Sequence, residues 1–285
     1  ALPPTPSALL GQPAGAATEP ELDTGAAPDE AEAEAAPDPL VTRLETRLEF
    51  DQLVANEEYA TAQRVGERLI ELTEQEFGPV SEQAAEAYSA VADAASRGGD
   101  HETAERLYLH AVDLTRSVDG VFSPLAIDPL TGLGESYQRS GQLLNALSVY
   151  GEARTVSRRV YGLLNPAQIP LIDRMADTMQ GLERHIDADR LQLEALRLIE
   201  RTHEPHDPAN LAAIYKYARW LRDNNRFQEE RDQYARAIRV IREHYGESST
   251  ELVRPLAAIG NSFRRQRLPD GQGVSALRDA LSLLE

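Results

Sequence analysis

Leu130, Leu133, Gly134, Tyr137, Gly141, Ala146, Tyr150, Ala153 and the run Tyr161-Gly162-Leu163-Leu164-Asn165-Pro166 make up the stretch whose reading decides the fold. Apolar residues three and four apart mark one helix, a glycine turn interrupts it, and a second helical run follows before the Tyr-Gly joint. The same spacings return along most of the chain. The small residue after the helix-helix turn is Ala62, Ala104, Ala146 and Ala188, with Glu230 next in line, and every step is 42 residues. A fixed period of this length marks stacked repeats, each burying its apolar face only against its neighbours. The expectation is one elongated all-α body over residues 40–285, built from about six antiparallel helix pairs and preceded by a separate segment, 1–39.

The joints carry the clearest local chemistry. Ser81, Ser123, Asn165, Asp207 and Ser249 are also 42 apart, and each offers a short side-chain oxygen to the free amides of a helix's first turn. Pro124, Pro166 and Pro208 follow three of them, where the missing N–H costs nothing. Three residues before the caps stand Gly78, Gly120, Gly162, Glu204 and Gly246. Glycine there supplies a left-handed helix stop, and Glu204-Pro205 should take a different path. Pro129, Pro170 and Pro255 fall early in their helices, which should bend there or begin late.

Inside the pairs, Val91, Leu133, Met175, Tyr217 and Ile259 belong to the core. Beside them stand Ala92, Gly134, Ala176, Ala218 and Gly260, small enough for two helices to approach closely. Ala111, Ala153, Ala195 and Ala237 play that part on the second helices, and Tyr108, Tyr137, Tyr150 and Tyr234 are packing aromatics. The first pair is atypical, as an end repeat should be. The sixth needs four extra residues, through Arg267-Leu268-Pro269-Asp270-Gly271, and its second helix should run to Glu285.

Composition limits the function. The 285 residues carry a net charge of −18, the wrong sign for a surface that grips nucleic-acid phosphates. No apolar run approaches the roughly 20 residues of a membrane helix, so no direct membrane insertion is expected. Cysteine is absent, which excludes disulfides and thiolate chemistry. Lys216 is the single lysine among 29 basic residues, a skew expected of a GC-rich bacterial genome. The start at Ala1-Leu2-Pro3-Pro4 reads as a mature end left by signal-peptide removal, which places the chain in a periplasm or otherwise outside the cytoplasm, with the cytoplasm as the alternative. Residues 1–39 are acidic and rich in Ala and Pro, too poor in apolar surface to offset the cost of ordering.

Catalytic signatures are missing: no phosphate-cradling glycine loop, no His-Glu-x-x-His, no Gly-x-Ser-x-Gly. His203-Glu204-Pro205-His206-Asp207 could hold a metal only with a further ligand, and Asp207 is already a cap, so neither metal nor cofactor is expected. Glu229-Glu230 reads as a pair of carboxylates on exposed helix surface.

The 42-residue register, the small packing residues and the Tyr-Gly-x-x-x-Pro joint resemble the tetratricopeptide repeat family, in the long-repeat form of kinesin light chain. The resemblance implies a right-handed superhelical solenoid that binds a protein segment in its concave groove, without enzymatic activity. It also implies which side chains line the groove. They include Glu86, Asp93, Asp128, Glu135, Asp173 and Asp177 from the early pairs. Tyr215, Lys216, Arg219, Arg222, Arg254, Asn261, Arg264 and Arg265 come from the late ones. The groove would then be acidic early and basic late, and its basic half would take an acidic segment of a partner protein or peptide. Tyr215 and Trp220 would serve as aromatic anchors, Arg forks and aromatics being common hot spots. Kinesin light chains hold the peptide backbone with an asparagine two residues before the small packing residue. Here Ala90, Gly132, Arg174, Lys216 and Ala258 stand there, so that clamp and its cargo preference are not carried over. A sensor whose superhelix closes on a small peptide or metabolite is the alternative. A further expectation is that the acidic tail, Glu19 to Asp38, reaches the basic half and competes with the partner.

Overall fold

The structure, a computed structural model, describes residues 38–267 and 271–284. The body from Asp38 onward is one compact unit. It contains six consecutive antiparallel pairs and no strand among the described residues: α1 (Pro39–Ala55) with α2 (Tyr59–Phe77), α3 (Glu82–Arg97) with α4 (His101–Asp119), α5 (Ile127–Arg139) with α6 (Leu143–Tyr161), α7 (Ile169–Gly181) with α8 (His185–Glu200), α9 (Leu211–Asp223) with α10 (Phe227–Tyr245), and α11 (Val253–Arg265) with α12 (Gly271–Ser282). The second helix of each pair also packs against the first helix of the next pair, which makes the stack a solenoid. α12 ends at Ser282 rather than running to the end of the chain. The acidic tail before Asp38, and with it the expected contact with the groove, lies outside the described residues.

The caps work as the sequence implies. Ser81 Oγ accepts from Ala84 N at 3.1 Å, Asn165 Oδ1 from Ala167 N at 2.8 Å, Asp207 Oδ1 from Ala209 N at 2.8 Å, and Ser123 and Ser249 do the same at 3.2 Å. After the last four caps the chain makes a short 3₁₀ turn before the α-helix starts. Pro129, Pro170 and Pro255 therefore sit in the first turn of α5, α7 and α11, where no backbone bond is lost. The helices begin late.

Two turns alternate along the stack, and their backbones differ. At the joints Gly78, Gly120, Gly162 and Gly246 have φ between 88° and 91° with ψ of 155–176°. This is mirror-image extended backbone, open to glycine, not the left-handed helical stop expected from sequence. Where Glu204 replaces glycine, α8 ends at Glu200, a turn earlier than its counterparts. Within the pairs the true left-handed residues are Glu57, Gly99, Gly141, Glu183, Asn225 and Arg267, with φ of 54–86° and again 42 apart. At Glu58, Asp100, Gln142, Arg184 and Arg226 the next N–H bonds back to the carbonyl five residues earlier, closing the helix in a Schellman turn.

The small residues are where the register places them. Ala62, Ala104, Ala146 and Ala188 have no exposed surface, nor do Ala92, Ala176 and Ala218. A Cβ on Gly134 would come within 2.3 Å of the fully buried Tyr150 ring, and one on Gly260 within 2.4 Å of Leu277. Only hydrogen fits at these crossings. The four packing tyrosines are buried. Tyr150 Oη donates to Gln138 Oε1 at 2.6 Å and Tyr137 Oη to Glu105 Oε1 at 2.8 Å, which satisfies their polar ends.

Candidate protein-interaction face

The first helices of successive pairs form one face, and α3 packs directly against α5. Polar side chains stitch this face across the repeats. Arg139 Nη1 on α5 donates to Ser96 Oγ on α3 at 2.7 Å. Glu135 of α5 takes Arg139 at 3.2 Å and Arg174 of α7 at 2.5 Å. Asp173 of α7 takes Lys216 of α9, while Gln138 Nε2 donates to Thr178 Oγ1. Arg174 and Lys216 occupy the positions of the kinesin-light-chain asparagine. Here they hold neighbouring first helices together.

This ladder sorts the groove residues. Asp93 pairs with Arg97 at 2.8 Å, and Glu135, Asp173, Lys216 and Arg174 are spent on one another. Glu86, Asp128 and Asp177 are exposed and carry no ion pair among the described residues. Glu86 and Asp128 line a cleft of about 600 Å³ together with Arg47, Ser89, Pro129 and Tyr161. Although the Asp177 residue is exposed, its carboxyl is in part withdrawn from solvent, and this partial burial and the neighbouring Asp173 charge push it up, while Lys216 and Arg174 pull it down. At the far end Arg222 pairs with Asp223 at 2.9 Å. Arg219, Arg254, Arg264 and Arg265 are exposed without an ion pair among the described residues, and Asn261 is half-buried beside them.

Tyr215 departs from its expected role. Its ring is 6% exposed, packed near Tyr234 with ring centroids 6.0 Å apart, and the Arg254 guanidinium lies 4.1 Å above it. It supports the face and cannot anchor a ligand there unless Arg254 moves. Trp220 is half-buried against the core of the fifth pair, the gap-filling place of an oversized residue whose counterparts are Ala94, Ser136, Thr178 and Ser262.

Sequence reasoning missed Glu230. It was expected on exposed surface, yet it is 2% exposed, because it occupies the helix-crossing position that alanine fills in earlier pairs. Ser262 Oγ donates to its Oε2 at 2.7 Å. Arg231 Nη1 reaches Ser262 Oγ at 3.2 Å and Gln266 Oε1 at 2.6 Å, with its guanidinium 4.2 Å over Phe263. Burial pushes the carboxyl of Glu230 up against the pull of Ser262, Arg222, Arg265 and Arg231. The signal lay in the register: a charged residue in an alanine column. The histidine cluster separates into other roles, with His206 Nδ1 2.8 Å from Glu243 and His203 Nδ1 3.1 Å from Ile199 O. Among the described residues no three His, Asp or Glu converge as metal ligands would.

Comparison with known proteins agrees with this geometry. Residues 52–117 and 168–243 match the family model of the tetratricopeptide repeat. No curated protein matches the chain. Among solved structures, the nearly identical repeats of a kinesin light chain from Podosopora anserina are 16% identical, with a TM-score of 0.57 over 73% of this chain and 98% of that one. BtubC from P. vanneervenii is 16% identical, with a TM-score of 0.51 over 82% and 87%. The tetratricopeptide repeat sensor protein of the Signal Transduction ATPase with Numerous Domains class from Pyrococcus horikoshii is 14% identical, with a TM-score of 0.57 over 88% of this chain and 37% of that one. With its 42-residue register, its capped joints and its stacked helix pairs, the chain belongs to the tetratricopeptide repeat family.

Proposed function

We propose that the chain is a non-catalytic scaffold or adaptor whose first-helix face, the concave groove of the superhelix, holds an extended or helical segment of another protein. The observation that carries this reading is the distribution of unspent charge. Apart from Asp177, the middle of the face neutralises itself through the Glu135–Arg174 and Asp173–Lys216 rungs. Exposed Arg219, Arg254, Arg264 and Arg265 remain at one end, and Glu86 and Asp128 at the other. Guanidinium forks left open on a rigid face suit carboxylates. The partner segment therefore carries acidic residues where it crosses α9 and α11.

A photo-crosslinking side chain placed at Asn261 tests the reading. It should capture one protein in stoichiometric yield, and Arg219→Glu with Arg264→Glu should abolish the crosslink while the helical circular dichroism is kept. The sensor alternative gives a different outcome: no protein crosslink, and compaction in small-angle scattering when a small ligand binds.

A further inference from the structure

The second helices carry a separate set of charges. On this side Arg116 pairs with Glu152, Arg154 with Glu194, and Arg236 with Glu200 at 2.5 Å, a ladder of its own between α4, α6, α8 and α10. Beside it, between α6, α8 and the joint that follows α6, lies a cavity of about 410 Å³ lined by Arg158, Arg190, Arg197 and Arg201 together with Leu163, Leu164, Leu193 and Leu198. Its Glu194 is already taken by Arg154. Arg158, Arg197 and Arg201 have no ion pair among the described residues, and Arg190 makes a long one, 3.5 Å, to Asp187. The Nε of Arg158 is buried without an acceptor among the described residues.

Four arginines lining one cavity in a chain of net charge −18 suit an anion, since like charges held near one another repel. The apolar half of the cavity rim is no less specific. Leu163 and Leu164 are 64% and 51% exposed, at a joint where a polar pair would cost nothing: the last two joints carry His206 and Ser248 in the place of Leu164. At the preceding joint Phe122 is also exposed, with Arg159 of α6 5.7 Å from its ring. Arginine thus stands beside exposed apolar side chains at two successive joints.

We propose that this cavity, lined by second helices and a joint rather than by the first-helix face, is a second binding site for an acidic segment of a partner protein that inserts an apolar side chain between Leu163, Leu164 and Leu193 and sets its carboxylates on Arg158, Arg197 and Arg201. Arginine-carboxylate forks around an apolar anchor make the usual centre of a protein interface. A protein segment suits the site better than a lipid surface. The whole acidic chain would be repelled by an anionic bilayer, whereas a narrow segment meets only the basic cavity.

The test uses the full chain and a fluorescein-labelled peptide of about fifteen residues with leucine at every fourth place among glutamates, the spacing of one helix face. Fluorescence anisotropy should show saturable binding, weakened roughly tenfold or more when glutamine replaces glutamate, by Arg197→Glu with Arg201→Glu, and by Leu163→Ser with Leu164→Ser. All four positions are exposed, and circular dichroism checks that the helices survive. Arg219→Glu with Arg264→Glu, which removes the groove's open charge, should leave this binding within about twofold. No binding of the glutamate peptide, equal affinity for the joint variants, or loss through the groove variant alone would each overturn the proposal. So would phosphatidylglycerol vesicles binding through Arg197 and Arg201 where the peptide does not.

Discussion

Ser262 of α11 donates a 2.7 Å hydrogen bond to the Glu230 carboxylate of α10, at a crossing where the earlier pairs have alanine. Burial raises the pKa of Glu230 above the ordinary 4.5. A carboxyl shifted upward in this way supports the fold while protonated: its contribution is complete below about 4.5 and is lost as pH rises through the higher folded value. Glu230→Gln keeps an acceptor for Ser262 and carries no charge. Its melting temperature at pH 7 should exceed the parent's by a few degrees, with the gap closing toward pH 4. A lower value at pH 7 would mean that Arg222, Arg231 and Arg265 hold the charge more strongly than burial opposes it.

The left-handed turns make a second prediction. Glu183 sits at φ 59°, the position that Gly99 and Gly141 fill in other pairs. A residue with a Cβ pays about 1 kcal/mol or more there. Glu183→Gly should stabilise the chain by roughly 0.5–1 kcal/mol in urea unfolding, against the usual direction for glycine.

Two glycines in the third pair should respond oppositely to the same change. A Cβ on Gly134 would press into Tyr150 at 2.3 Å, and one on Gly151 of α6 would meet nothing within 4 Å. Gly134→Ala is expected to cost about 1–3 kcal/mol through overpacking. Gly151→Ala should gain about 0.5–1 kcal/mol from helix propensity. Equal effects in denaturant unfolding would show that the α5–α6 crossing is looser than its distances imply.

These cases show what the sequence made legible. The caps, the joints and the small residues follow from local backbone chemistry repeated at one period, so the pairs and their register could be read directly. Glu230 could not, because composition places a glutamate outside and only its column places it inside. Tyr215 was assigned to the groove by its register, but register says nothing of Arg254, one pair later, lying across its ring. The rungs were missed for a related reason. Glu135 to Arg174 and Asp173 to Lys216 are 39 and 43 residues apart, and which neighbours meet depends on the stagger between pairs rather than on the period.

The rungs give the last prediction, which joins stability to the charge of the groove. The Lys216 and Asp173 side chains are 36% and 27% exposed, and pairs so open contribute only about 0.2–1 kcal/mol. Lys216→Ala should therefore scarcely move the unfolding curve. Its electrostatic effect should be larger, because Lys216 is one of two cations that pull down the carboxyl of Asp177, which burial and Asp173 push up. Without Lys216, Asp173 loses its counter-charge, and both terms that raise Asp177 stand against Arg174 alone. The Asp177 carboxyl resonance should titrate at higher pH in Lys216→Ala than in the parent, and high salt should shrink the difference. An unchanged titration would mean that solvent already screens this part of the face, and the rung would then align α7 with α9 without shaping the field that a partner meets.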